Sequence, residues 1–264
     1  MPSEYYWSFF IGIFAGTMTG LMGASGMMAV VPGIILLGYS AYQAIGVSLA
    51  VDVIASAIVA VAYYRHGRVD LSRGLWIAVA AIAGAQLGSR LIFRVPETGL
   101  SGGFGVLLIV TAIFFWRDGI GYGGVGPAIE RFQTSKIGEW LATYPRFVSV
   151  SLGLIVGVIS GMFGVGGGII FLFALLMLGY RLHVAVGTST MIMALTTFSG
   201  AIGHAMMGNL PYMIVVFAAA GTVLGSVVSA RFANRMNEQM LSKAIAVVFA
   251  ILGGILLFIT IWQQ

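Results

Sequence analysis

The residue best suited to chemistry is Asp52, the one acid inside a long apolar segment, residues 44–63. Counted from Ala44 at about 1.5 Å per residue, Asp52 lies roughly 12 Å into that segment, with Ser48 and Ser56 on the same helical face. An ionised carboxylate is costly in apolar surroundings, so we expect Asp52 to be neutral, paired or facing water. Its natural chemistry is then the reversible binding of a proton or a cation. The alternative is a protonated, purely structural Asp52 that is hydrogen-bonded to a neighbour.

Two glycine-rich clusters, Gly23–Met27 and Gly164–Gly168, interrupt the apolar segments. Each glycine in a helix costs about 1 kcal/mol relative to alanine, so consecutive glycines predict a break in the helix. A helix that begins at such a break presents free N–H groups and a positive dipole end, which can bind an anion. The alternative is a break that is only structural and is buried by protein. The expected anion ligands are the backbone of Gly23, Ser25, Gly26, Met27, Gly164, Gly166, Gly167 and Gly168, with the Ser25 hydroxyl as an added donor.

Further polar side chains lie in the segments that follow these clusters. Hydroxyl groups occur in the first turns of two of them, where each either contacts a ligand or bonds to local backbone. Gln86 lies near mid-depth and either lines a path or bonds across helices. His204 lies near a segment end and either titrates as a gate or is an interfacial histidine, the alternative we favour. The hydroxyl candidates are Ser48, Thr188, Ser189 and Thr190.

The composition indicates that these candidates lie in a membrane. Of the 264 residues, 59% are hydrophobic and only 8% are charged, against about 25% in soluble domains. Residues 5–51, 147–180 and 182–230 contain no Asp, Glu, Lys or Arg. No alternation typical of a membrane barrel occurs, so we predict an all-α polytopic membrane protein. The net charge of +5 arises mainly from arginines in short loops, which argues against a nucleic-acid partner, and with no cysteine no thiolate metal site can form.

The chain also contains an internal repeat. At an offset of 141, residues 16–67 match the second half, with coincident glycines and a shared Leu-Gly-Tyr block. Leu87–Ser89 matches Leu224–Ser226 at an offset of 137, which predicts that four residues were lost in between. The expected organisation is a membrane repeat at 1–116, a cytoplasmic linker at 117–146 with an interfacial helix, and a second membrane repeat at 147–264.

Each half contains five apolar segments, of which the second is short. Twelve residues, as in 27–38, extend about 18 Å, whereas the hydrocarbon core is about 30 Å thick. We therefore expect the first two segments of each half to form a broken or re-entrant hairpin, with eight to ten hydrophobic segments in all. Glycines recurring every fourth residue, Gly12 and Gly16 in one half and Gly153 and Gly157 in the other, predict close helix packing.

Loop charges indicate that the two halves have opposite orientations. Arg65, Arg68 and Arg73 lie in a first-half loop whose second-half equivalent is uncharged, whereas Arg181 corresponds to the uncharged Ser40. If both termini are outside, eleven of the thirteen Lys and Arg residues are cytoplasmic. Inverted repeats of this kind recur in secondary transporters.

The glycine clusters also carry a family resemblance. The run from Gly161 through Gly168, followed by Leu178-Gly179-Tyr180 and by Val186-Gly187-Thr188-Ser189, resembles the signature of the sulfite exporter TauE/SafE family, the toluene-sulfonate uptake permease group. The resemblance extends along nearly the whole chain. It implies a protein of the bacterial inner membrane that moves sulfur-containing or other small organic anions.

These observations lead us to expect a secondary transporter of small anions, such as sulfite, sulfate, sulfonates or organic acids, that works by alternating access. An anion channel is the first alternative, and an intramembrane enzyme is a less favoured one because no catalytic constellation is present. We expect no cofactor and no metal. The expected partners are the lipid bilayer, a small anion, a proton or sodium as coupling ion, and a second copy in a homodimer suggested by the stripes of small residues.

Overall fold

The computed structural model describes residues 3–22, 26–117, 145–208, 210–232 and 238–262. Over these residues the chain forms ten α-helices and no β-strand, which confirms the all-α prediction. Short 3-10 turns, Gly26–Ala29 and Ile92–Arg94, precede α2 and follow α4. The helices are α1 Ser3–Met22, α2 Val30–Leu36, α3 Ala41–Arg65, α4 Leu71–Leu91, α5 Glu97–Arg117, α6 Pro145–Phe163, α7 Gly168–Met177, α8 Leu182–Met206, α9 Tyr212–Phe232 and α10 Glu238–Trp262.

The repeat is more regular than the sequence match suggested. Helices α3 and α4 begin and end 141 residues before α8 and α9, and α5 begins 141 residues before α10. A Cβ at Gly84 would overlap the Leu154 carbonyl of α6, and a Cβ at Gly225 would overlap the Ile13 carbonyl of α1, so Gly84 and Gly225 are equivalent. The predicted loss of four residues is therefore wrong. The Leu-Gly-Ser match at offset 137 is a coincidence of small residues.

The repeats are inverted, as contacts between equivalent helices show. The start of α3 lies beside the end of α8, because a Cβ at Gly46 would lie 3.2 Å from the His204 Cβ. Conversely, the start of α8 lies beside the end of α3, where a Cβ at Gly187 would lie 2.9 Å from the Tyr63 Cβ. These equivalent helices are thus antiparallel, which requires opposite orientations of the two repeats.

Glycine stripes let helices of different repeats approach to backbone contact. A Cβ at Gly12 or Gly16 in α1 would overlap the backbone of α9, and one at Gly157 in α6 would overlap the Ala81 carbonyl of α4. The Thr222 hydroxyl donates a hydrogen bond to the Gly12 carbonyl across the first contact, at 3.1 Å. Such contact is typical of membrane helices, in which packing rather than water exclusion holds helices together. The sequence prediction of packing stripes is confirmed.

The two short segments fold back as hairpins. In the first, Gly33 of α2 packs against Ile11 halfway along α1, and the Tyr39 hydroxyl after α2 donates to Glu4 Oε2 near the start of α1 at 2.7 Å. In the second, Gly167 packs against Val156 of α6. Both α2 and α7 therefore return toward the side from which α1 and α6 entered, as the re-entrant prediction required.

The helix ends form two faces, which we name by their content. The terminal face carries the start of α1 and the end of α10; there the Ala41 backbone N–H donates to Glu97 Oε1 at 2.7 Å. On the opposite, arginine face, the Tyr180 hydroxyl donates to Asp70 Oδ2 at 2.9 Å and Lys243 lies over the Trp116 ring. The arginines at this second face include Arg65, Arg68, Arg117, Arg146 and Arg181.

Hydropathy and aromatic residues identify these faces with membrane interfaces. The ten described helices agree with the eight to ten hydrophobic segments expected, and five of them are long and apolar enough to cross a membrane. Other helices contribute shorter apolar parts, such as Glu97–Ile113 and Ala246–Trp262. Exposed aromatic side chains ring both ends, as membrane-interface residues do. They are Tyr6, Trp7, Tyr212 and Trp262 at the terminal face and Tyr64, Trp76 and Trp116 at the arginine face.

Candidate functional site

Helix α3 positions Asp52 at the middle of the bundle. A capping box begins this helix, in which the Gln43 backbone N–H donates to Ser40 Oγ at 3.2 Å and the Ser40 backbone N–H donates to Gln43 Oε1 at 3.1 Å. Asp52 is the twelfth of the 25 residues in α3, and its side chain is fully buried. Ile45, Ser48 and Asp52 lie on one face because they are spaced by three and four residues. This face is turned toward the second repeat.

A non-helical break separates α6 from α7. Gly164, Gly166 and Gly167 have φ values of 67°, 68° and 71°, a left-handed conformation that favours glycine. The Gly164 N–H still donates to the Ser160 carbonyl at 2.8 Å, and the Phe171 N–H donates to the Gly167 carbonyl at 2.8 Å as α7 begins. The consecutive glycines thus form the break that the sequence predicts.

The break contacts the polar face of α3 directly. The Ser48 hydroxyl donates to the Gly164 carbonyl at 2.8 Å. A Cβ at Gly166 would overlap Asp52 Oδ2, and one at Gly168 would overlap the Met193 sulfur. Asp52 and Met193 are equivalent positions in the two repeats, each the twelfth residue of its helix. The break therefore lies at mid-depth, between the repeats, against a carboxyl group of one half and a thioether of the other.

Electrostatics at the break favour negative charge. Helix α7 contains ten residues, and its N-cap, Gly167, provides no side-chain hydrogen bond. The first N–H groups and the positive dipole end of α7 therefore lie at the break, where they favour an acceptor or a negative charge. The Asp52 carboxyl group approaches the break at Gly166, so a residue of the protein lies where an anion would bind. The sequence analysis had placed Asp52 near mid-depth but had not brought it to the glycines.

Ser160 is a site residue that the sequence analysis missed. It lies on α6 four residues before Gly164, and its side chain is fully buried. Among the described residues its Oγ has no hydrogen-bond partner. No sequence signal distinguishes it from the other serines of the apolar segments, because its lack of a partner is a property of the packed structure.

The first-half glycine cluster is described only in part. Gly23 and Ser25 lie outside the described residues, whereas Gly26 and Met27 begin the 3-10 turn before α2. Helix α2 has seven residues, fewer than the ten of α7. The expectation that two equivalent helix ends face one anion stays a prediction.

The hydroxyl candidates of α8 bond to protein groups that lie outside the break. Thr188 Oγ1 accepts a hydrogen bond from the Asp70 backbone N–H at 2.9 Å, near the arginine face. Ser189 and Thr190 donate to the Val186 carbonyl at 3.0 and 2.9 Å. The bonds of Ser189 and Thr190 correspond to the local alternative, whereas that of Thr188 joins α8 to the residue before α4.

Gln86 and His204 lie between helices nearer the terminal face. Gln86 Nε2 donates to the Ser199 carbonyl at 2.6 Å, joining α4 to α8 as the packing alternative required. His204 is fully buried, with its Nε2 3.3 Å from the Gly161 carbonyl and its ring beside Phe93. His204 is therefore covered by α3 and α6 near the terminal face, and the choice between a titrating gate and an interfacial histidine stays a prediction.

The described residues contain no group of three or more His, Cys, Asp and Glu side chains that could hold a metal ion. The polar atoms at the break are backbone amides and carbonyls, hydroxyls and one carboxyl group. Such a set suits a small ligand bound through hydrogen bonds. The predicted interfacial helix of the linker lies outside the described residues.

Comparison with known proteins agrees with this architecture. A family model for the sulfite exporter TauE/SafE matches residues 8–256. The chain is 30% identical over 251 residues to the probable membrane transporter protein YdhB of Bacillus subtilis, covering 92% of this chain and 96% of the relative. It is 24% identical to the probable membrane transporter protein YunE of the same organism, covering 94% and 95% of the two chains. No solved structure matches it. With inverted repeats, membrane-spanning helices and a family match along nearly its whole length, the chain belongs to the sulfite exporter TauE/SafE family of membrane transporters.

Proposed function

We propose that the protein is a secondary transporter of small anions, namely sulfur oxyanions, sulfonates or organic acids. The observation that carries this proposal is the break at mid-depth, where α7 begins at Gly167, an N-cap residue that provides no side-chain hydrogen bond. Small anions bind readily at such helix starts. The family supports transport, and the name sulfite exporter supports the substrate class.

The placement of charge supports backbone recognition of the anion. The described arginines and Lys243 lie at helix ends, in the two faces of the bundle. Among the described residues, no arginine or lysine lies beside the break. An anion bound there would therefore depend on N–H groups, hydroxyls and the dipole of α7. Recognition without a cationic side chain suits a carrier that must also release its substrate.

Alternating access is the mechanism we propose, and a channel is the alternative. Gly164–Gly168 are all buried, so an anion reaches the break only when helices move. The antiparallel pair α3 and α8 holds the break between the repeats, and exchange of conformation between inverted repeats would open it to one face and then the other. A channel would require an open path in a single conformation.

In the cell, we place the protein in the bacterial inner membrane with both termini outside. Arginine-rich loops stay in the cytoplasm, which orients the arginine face inward.

A proton or sodium ion is the proposed coupling ion. The homodimer expected from the sequence stays a prediction.

Flux measurements on purified protein in liposomes test the proposal. Sulfite, sulfate, ethanesulfonate and acetate are supplied outside, with and without the same anion trapped inside. A carrier gives uptake that saturates and that is accelerated by trapped substrate. Uptake that neither saturates nor responds to trapped substrate would favour a channel, and the absence of flux for every anion would contradict anion transport.

A further inference from the structure

The hydroxyl of Ser160 differs from comparable hydroxyls of this chain. Buried serines and threonines here commonly donate to a carbonyl one turn earlier, as Thr196 does to Ile192 at 2.7 Å. The repeat equivalent of Ser160 is Thr19, which donates to the Ala15 carbonyl at 3.0 Å. Within the described structure Ser160 Oγ makes no such bond although it is fully buried. A buried hydroxyl that uses neither backbone nor side-chain partners is available to a ligand.

The position of Ser160 on α6 directs this hydroxyl toward the break. Val156 faces α7, because a Cβ at Gly167 would lie 2.9 Å from Val156 Cγ1. Ser160 follows Val156 by four residues and so lies on the same helical face, one turn closer to the break. The break is thus flanked by Ser160 from α6 and by Asp52 from α3.

We infer that Ser160 and the first turn of α7 form an anion site that is filled only when Asp52 carries a proton. Both the anion and the ionised carboxylate would occupy the same buried break, where like charges repel strongly. One proton taken from the medium converts the Asp52 carboxylate to a carboxylic acid, and the anion then binds beside a neutral group. This inference rests on the proposed function and adds its coupling: one proton moves with each anion.

No other described titratable group is placed at the break. On the helices packed against α3, the described titratable groups lie within four residues of a helix end. They are therefore near the terminal face or the arginine face. Those on α3 itself, Tyr42, Tyr63, Tyr64 and Arg65, are also near its ends. On the packed helices they are Glu4, Tyr5, Tyr6, Glu97, Arg117, Arg146, His183, His204, Tyr212 and Arg231.

Of these groups, His204 needs its own control. It is buried and contacts the Gly161 carbonyl, next to Ser160 in the chain. Its protonation could alter α6 near the site without involving Asp52. The variant His204→Gln removes this titration and keeps a side chain able to hydrogen-bond.

The test measures binding of ethanesulfonate and sulfate to purified protein from about pH 5 to about pH 8, a range in which carboxyl groups of buried sites titrate. For the wild-type protein the dissociation constant rises up to tenfold per pH unit above the pKa of Asp52. Asp52→Asn binds with the low-pH affinity at every pH. Ser160→Ala binds about tenfold more weakly, as loss of a hydrogen bond to a charged ligand predicts, with an unchanged pH slope.

Matched variants separate these effects from general disruption. Ser160→Thr restores the hydroxyl and is expected to recover most of the affinity lost in Ser160→Ala. Ser149→Ala removes a buried hydroxyl at the far end of α6 and leaves affinity unchanged. His204→Gln keeps the pH slope of the wild-type protein.

The inference is overturned if Asp52→Asn retains the slope, if His204→Gln abolishes it, or if Ser160→Ala binds as the wild-type protein does. Wild-type protein that transports anions with affinity independent of pH would leave the proposed function standing and remove the inference. Wild-type protein that neither binds nor transports any of these anions would remove both.

Discussion

At the scale of single residues, Gly166 has two separate constraints. Its φ of 68° favours glycine, and a Cβ there would overlap Asp52 Oδ2. Gly179 shares only the first constraint, with a φ of 85° and no atom within 4 Å of where its Cβ would lie. The pair therefore separates the conformational role of a glycine from its role in the site.

Alanine substitutions at these two positions are expected to differ. Each costs about 1–2 kcal/mol through left-handed strain. Gly166→Ala also displaces the Asp52 carboxyl group, so it should lower the melting temperature further and reduce anion uptake at least tenfold, whereas Gly179→Ala should keep most of the uptake. Melting and uptake are measured on the same preparations. Equal uptake by the two variants would contradict a role for the Gly166–Asp52 contact.

At the scale of the helices, close packing depends on glycines that approach backbone. Gly157 of α6 meets the Ala81 carbonyl of α4, whereas Gly254 of α10 has no atom within 4 Å of where its Cβ would lie. Both glycines are inside helices, so their helix propensities are comparable. They differ in what a methyl group would meet.

Alanine substitutions at these two helical glycines are expected to change the stability of the protein in opposite directions. Gly157→Ala forces α6 away from α4 and should cost about 1–3 kcal/mol of stability. Gly254→Ala gains helix propensity and should stabilise by up to about 1 kcal/mol. Thermal unfolding in detergent measures both, and destabilisation of similar size in both variants would show that contact with α4 is not the cause.

At the scale of the whole molecule, inversion assigns equivalent residues to opposite membrane faces. His66 follows α3 at the arginine face, and Met207 follows α8 at the terminal face. They are equivalent positions, both side chains are exposed, and the chain contains no cysteine. A single cysteine can thus be introduced at either position without background.

Labelling with a membrane-impermeant maleimide then tests the orientation. His66→Cys should react only after cells are permeabilised, because the arginine face is cytoplasmic by the positive-inside rule. Met207→Cys should react in intact cells. Reaction of both from the same side would contradict inverted repeats, and exchange of the two results would reverse the assigned orientation while keeping the inversion.

Much of the architecture follows from the sequence alone. Scarce charge and long apolar segments identify membrane helices, because burying charge in lipid is costly whatever the partners. The recurrence of glycines at an offset of 141 predicts the duplication, and the triple glycine predicts the break, because helix propensity is a local property. The depth of Asp52 follows from the constant rise of a helix.

Contacts between the two repeats could be identified only from the tertiary structure. Spacing places a residue along a helix, but whether Asp52 meets Gly166, or Ser160 lacks a partner, depends on how helices from different repeats are rotated and crossed. The burial of His204 depends in the same way on the packing of α3 and α6. The sequence by itself thus determined the helices, the repeat and the break, because helix propensity and residue spacing are local properties. Only the tertiary structure decided which side chains surround that break, because this depends on packing between distant segments.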